Sequence, residues 1–181
     1  MKITGVHGRR VWDSRGRPTV EAEIRLEDGT MGRAIAPAGA STGTGEAVDL
    51  RDGGGAFGGL DVRQAVGNVN SKIATALRGL DSFDQAGVDA RLIGLDETPT
   101  KAWVGGNAMI AVSMAVAHAA AASRREPLWR SLGATTHHRR RQQHSTQTKW
   151  RVGPQAIGCP PWPKHCGNRC ILYIFSLPVS G

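Results

Sequence analysis

Between residues 20 and 26 apolar and charged positions alternate: Val20, Ala22, Ile24 and Leu26 fall on one side, Glu21, Glu23 and Arg25 on the other. A period of two is the pattern of a strand buried on one face. Asp28-Gly29 follows at once, a pair that favours a tight hairpin turn, and residues 30–36 then place Met31 and Ile35 on a second antiparallel strand. The β-branched run from Ile3 to Val11 supplies a third strand upstream.

From Val62 the period changes. Val62, Val66, Val69, Ile73 and Leu77 recur at helical spacing, which makes one face of a helix apolar, and Gly79 is its expected stop. Ser82-Phe83-Asp84-Gln85 reads as a capping box, with Ser82 as cap, opening a shorter helix to about Gly94. Residues 107–125 form a third predicted helix, with Asn107 as its cap and Arg124 and Arg125 at the negative end of its dipole. Pro127 opens one last turn and Gly133 closes it. Strands first and helices after predict an α+β fold: a small three-stranded antiparallel meander followed by a helical bundle packed on it. The longest weakly polar run, residues 108–122, contains Ser113 and His118 and is too short and polar to span a bilayer. No apolar stretch of a secretory signal precedes Gly8, so a cytoplasmic location is expected.

Composition divides the chain at residue 133. The net charge of +8 suggests a nucleic-acid partner until it is apportioned. Residues 1–133 hold sixteen Lys and Arg against fifteen Asp and Glu, whereas residues 134–181 hold seven basic residues and no acid. All three cysteines, Cys159, Cys166 and Cys170, lie in this second part. Residues 1–133 are therefore expected to form one domain, and 134–181 a basic tail containing Pro and Cys, irregular, disordered or translated out of frame. Cys159, His165, Cys166 and Cys170 are zinc-ligand types, but their spacings differ from the short pairs of structural zinc sites. The Arg139-Arg140-Arg141 cluster could attract phosphates electrostatically, yet no nucleic-acid fold accompanies it, and a nucleic-acid partner is not expected.

Three blocks carry more specific information: Asp13-Ser14-Arg15-Gly16-Arg17-Pro18-Thr19-Val20-Glu21; Pro37-Ala38-Gly39-Ala40-Ser41-Thr42-Gly43 with Glu46-Ala47 and Leu50-Arg51-Asp52; and Gly105-Gly106-Asn107-Ala108-Met109 with residues 111–115. In this order and at these separations, residues 1–133 resemble the amino-terminal domain of enolase. The resemblance implies reversible, magnesium-dependent dehydration of 2-phosphoglycerate to phosphoenolpyruvate in the cytoplasm, usually by dimers. The lysine base, the glutamate acid and the three carboxylate metal ligands belong in that family to a catalytic barrel with no counterpart here. The chain alone is accordingly expected to be inactive, with substrate engaged only if a barrel is supplied.

Within the second block, Gly39, Ala40, Ser41, Thr42 and Gly43 read on spacing alone as a turn rich in small residues. The resemblance makes them a lid loop in which Ser41 binds the second, substrate-associated magnesium. Ser41 offers a hydroxyl and a carbonyl oxygen, ligands suited to that hard cation. Ala38 departs from the family, where a second serine is usual. Asp13, Arg15 and Glu21 invite an acid–base reading, but strand geometry sends neighbouring side chains to opposite faces. The resemblance instead puts Arg15 and Glu21 at a dimer interface, against a partner's barrel; without one, they form a surface turn with solvated charges. Three functions follow: a truncated enolase, a non-catalytic domain that docks on a barrel or a full-length enolase, and an anion or nucleic-acid binder acting through the tail.

Overall fold

The computed structural model of the chain describes residues 1–37 and 45–135. Ala38, the lid-loop residues Gly39 to Gly43 and the tail from residue 136, with its cysteines and arginine cluster, lie outside the described residues.

Strands β1 (Ile3–Trp12), β2 (Pro18–Leu26) and β3 (Met31–Ile35) form an antiparallel sheet in the order β1-β2-β3. The alternation at residues 20–26 sets the register: Ile24 stands opposite Val6 and Gly32, while Glu23 stands opposite His7 and Arg33. Val20, Ala22, Ile24 and Leu26 therefore face the core together, all buried. The β2–β3 connection is the expected Asp-Gly turn, with Gly29 at φ +81° and the Asp28 carboxylate accepting from the Thr30 N–H at 2.8 Å.

The predicted apolar helix is continuous from Arg63 to Leu77, as α1 (Arg63–Asn68), a π-helical turn (Val69–Ile73) and α2 (Ala74–Leu77). Gly79, at φ +83°, follows the last turn as expected. Helices α3 (Gln85–Gly94), α4 (Gly106–Ser123) and α5 (Leu128–Thr135) complete the described fold, and α5 runs on past Gly133. Helix α4 lies across β2 and β3 and is buried nearly all round, from Ala108 and Met109 to Ala121. It is longer than the run expected from the sequence, and its length and composition alone would suffice to cross a membrane, but a largely apolar helix enclosed by its own protein is a core helix. The α+β expectation, with helices packed on one face of a meander, is borne out.

Two helix caps differ from expectation. Ser82 does not cap α3, because its N–H and hydroxyl both donate to the Met1 carbonyl at 2.8 and 3.0 Å. Asp84 is the cap, accepting from the Gly87 N–H at 3.0 Å, and the Gln85 side chain turns inward instead of reaching back. Gly105, at φ +97°, takes the cap position of α4, and Asn107 lies inside the first turn with a different task.

Candidate functional site

The chain enters and leaves residues 38–44 through two stems, each fixed to the sheet or to α4. On the entry side the Ala36 N–H donates to the Val20 carbonyl at 2.8 Å, and the Ala36 carbonyl accepts from the buried Thr19 hydroxyl at 3.0 Å. On the exit side the Val48 N–H donates to Thr100 O at 2.8 Å, and the Val48 carbonyl accepts from the Gly106 N–H at 2.9 Å. Asn107 then holds both main-chain groups of Leu50: its Oδ1 accepts from the Leu50 N–H at 3.1 Å and its Nδ2 donates to the Leu50 carbonyl at 3.2 Å. An amide side chain used this way stands in for a neighbouring strand.

Glycine lets the exit stem come so close. A Cβ on Gly105 would lie 2.7 Å from Leu50 Cβ, and one on Gly106 would lie 2.9 Å from Ala47 Cβ. Arg51 closes the arrangement, donating to Pro18 O at 2.6 Å, to Leu60 O at 3.0 Å and to the Asp49 carboxylate at 3.0 Å. Pro18 to Val20, Ala36, Ala47 to Arg51 and Gly105 to Asn107 thus meet around the two stems, although the chain separates them widely. The described parts of the three sequence blocks come together here.

The Asp13–Glu21 block does a second job at the far end of β1 and β2. Asp13 Oδ1 accepts the N–H groups of Arg15 and Arg17, both at 2.8 Å, and these bonds hold its carboxyl below the usual carboxylate range. Arg15 is exposed, with its Nε 3.6 Å from Asp13 Oδ2. Glu21 points to the outer face of the sheet, paired with Arg9 at 3.1 Å. That pair is a charge contact rather than a hydrogen bond, since Arg9 Nε and Glu21 Oε1 are buried without an aligned partner. Beside them Arg33 and Arg9 reach Glu23 Oε2 at 2.8 and 2.6 Å, and these two bonds lower the Glu23 pKa against the cost of burial. Arg15 and Glu21 therefore serve different local partners and do not form an acid–base pair. His118 is half-buried on α4. Among the described residues no three His, Cys, Asp or Glu side chains gather to hold a metal ion.

Residues 3–132 match the family described as "Enolase, N-terminal domain". The chain belongs to the enolase family. It is 54% identical over 133 residues to Enolase 1 of Lactococcus lactis subsp. cremoris, a match covering 74% of this chain and 32% of that protein. Enolase of Lactobacillus acidophilus is 53% identical over 131 residues, covering 72% of this chain and 31% of that protein. Enolase 3 of Lactobacillus johnsonii is 53% identical over 133 residues, with 74% and 31% covered. The chain spans about a third of the length of these curated relatives.

Within this enolase domain, sequence reasoning pointed to the loop and missed its supports. Thr19, Arg51 and Asn107 act on partners 17, 33 and 57 residues away, so no local spacing announces them. Their one signal in the sequence is membership of the three blocks.

Proposed function

We propose that residues 1–133 serve as the amino-terminal domain of a glycolytic, cytoplasmic enolase, acting in the magnesium-dependent dehydration of 2-phosphoglycerate to phosphoenolpyruvate. The observation that carries this reading is the convergence of the three blocks on the stems of residues 38–44, through Thr19, Arg51 and Asn107. A loop that must close on a substrate needs rigid anchorage at both ends. Ser41 within that loop supplies the magnesium ligand of this reading. In this reading the proton-transfer groups belong to a barrel outside residues 1–133, so these residues by themselves are inactive. A coupled assay tests both parts: the purified chain forms no phosphoenolpyruvate, and adding the separately expressed remainder of Lactococcus lactis Enolase 1 restores magnesium-dependent turnover that Ser41→Ala abolishes. Turnover by the chain alone, or none after an assembled complex is shown by gel filtration, overturns the proposal.

A second reading, a non-catalytic domain that docks on an enolase subunit, is favoured by the outer face of the sheet. There the Arg9 Nε and Glu21 Oε1 atoms are buried and misaligned, with Arg15 at the adjoining turn. Buried polar groups without aligned hydrogen bonds gain from a partner that completes them. Co-purification with a full-length enolase, lost in Glu21→Ala, supports this reading; co-purification unchanged by that substitution counts against this face.

A further inference from the structure

Helix α3 packs against α4, with its Val88 and Leu92 essentially without exposure, and one polar cluster joins the two helices. In that cluster the Ser113 hydroxyl donates to Asp89 Oδ1 at 2.6 Å, and Gln85 Nε2 donates to the same oxygen at 3.0 Å and to Ser113 O and Oγ at 3.2 and 3.1 Å. Asp89 retains 7% of its surface, Gln85 6% and Ser113 none. The two side chains that bond this carboxyl, Ser113 and Gln85, are neutral, unlike those at Asp61, which is buried but paired with Arg10 at 2.9 Å and Arg63 at 3.1 Å.

We propose that the Asp89 carboxyl is a proton-sensitive latch that sets how firmly α3 docks on α4. Burying an unpaired charge disfavours its ionised form, whereas a protonated carboxyl can stay in the same place at little cost. Burial raises the Asp89 pKa, and the bonds from Ser113 and Gln85 offset only part of that rise. The buried Lys101 ammonium meets α3 only at its carboxyl end, donating to the Ile93 and Asp96 carbonyls at 3.4 and 2.6 Å, and no charged group contributes to the Asp89 shift. Helix α4 carries a single titratable residue, the half-buried His118, and α2 carries none. Lys72 and Arg78 are exposed on either side of α2, and Arg91 on α3 is exposed along the flank formed with Asp84, Gly87 and Val88. None of these forms an ion pair with Asp89.

The sign follows from the raised value. Docking is firmest while Asp89 is protonated, below the ordinary aspartate range, and it weakens as pH rises through the docked value, then levels off. Each unit between the open and docked values makes opening of α3 about tenfold more frequent. Amide hydrogen exchange of the full chain, corrected for the intrinsic pH dependence of exchange, reads this directly. Protection of Gln85–Gly94 should fall with pH relative to α4, and Asp89→Asn should abolish that fall. Ser113→Ala keeps the carboxyl but removes its shortest bond, so the fall should move to higher pH, together with the titration of the Asp89 carboxyl carbon followed by NMR. A pH profile for α3 that is the same in the wild type, Asp89→Asn and Ser113→Ala overturns the proposal. If Asp89→Asn does not fold, a carboxyl titration at the ordinary aspartate value does so equally.

Discussion

Gly32 on β3 rests directly on Ala119 of α4. A Cβ at Gly32 would stand 2.7 Å from the Ala119 Cα and would overlap the Ala119 amide nitrogen and the Ala115 carbonyl oxygen. These are backbone atoms of a buried helix, so no rotamer change relieves the overlap. Gly32→Ala should therefore cost about 3 kcal/mol or more, near the limit of what a small domain tolerates. Gly29→Ala is the matching control, because its Cβ meets nothing within 4 Å and only its φ of +81° is strained. It should cost about 1 kcal/mol. Thermal unfolding followed by circular dichroism separates the two, and similar midpoints for both variants would show that the close approach is not what fixes Gly32.

Helix periodicity and strand alternation carried much of this architecture in plain sight. The face formed by Val20, Ala22, Ile24 and Leu26, the Asp28-Gly29 turn and the stripe from Val62 to Leu77 are properties of neighbouring residues, and local rules read them. Gly32 belongs to another kind of information, since its reason for being glycine is a helix more than eighty residues further along. The caps divide in the same way. Ser82 and Asn107 fit local capping rules, yet the amino-terminal chain occupies Ser82 and the Leu50 segment occupies Asn107. At the candidate site the family blocks were legible as words, while the contacts that join them were not.

Asn107 is expected to be worth more than a cap. Replacing it with Leu preserves bulk but leaves the Leu50 N–H and C=O without their partner in a partly buried setting. Two lost bonds of this type should cost about 2–3 kcal/mol. Limited proteolysis should then cut first near residues 45–52, the stem that Asn107 holds. A variant as resistant there as the wild type would mean that Gly106 and Arg51 hold the stem without it.

Helix α1 has no cap of its own; Val62 precedes it without a side-chain bond. Asp52 supplies one from ten residues upstream, its carboxylate accepting from the N–H groups of Arg63 and Gln64 at 2.8 and 2.9 Å. An anion on a helix amino terminus satisfies exposed N–H groups and opposes the dipole. Asp52→Ala should destabilise the chain by about 1–2 kcal/mol, and Asp52→Asn, which keeps one acceptor, by less. Chemical denaturation of the two variants tests the order; equal losses would assign the effect to charge alone.

Asp96 titrates in the direction opposite to Asp89. It is wholly buried, which by itself opposes ionisation, but Oδ1 accepts from the Thr98 hydroxyl and N–H at 2.5 and 3.0 Å, and Oδ2 from the N–H groups of Trp103 and Val104, both at 2.8 Å. Together these bonds outweigh burial and lower its pKa. A depressed carboxylate contributes stability that is present above the ordinary aspartate value and is lost as pH falls through the folded one. Asn at this position offers an NH₂ group where two backbone N–H groups already point, so Asp96→Asn should cost about 2–4 kcal/mol near neutral pH. The difference between wild type and variant should shrink as the pH drops below about 4, where the Asp96 carboxyl of the unfolded chain takes up a proton while the folded one still stays ionised. Urea unfolding midpoints measured from pH 7 to pH 3 provide the check. A gap that stays constant across that range would mean that the loop from Asp96 to Val104 is held by the shape of residue 96 and not by its charge.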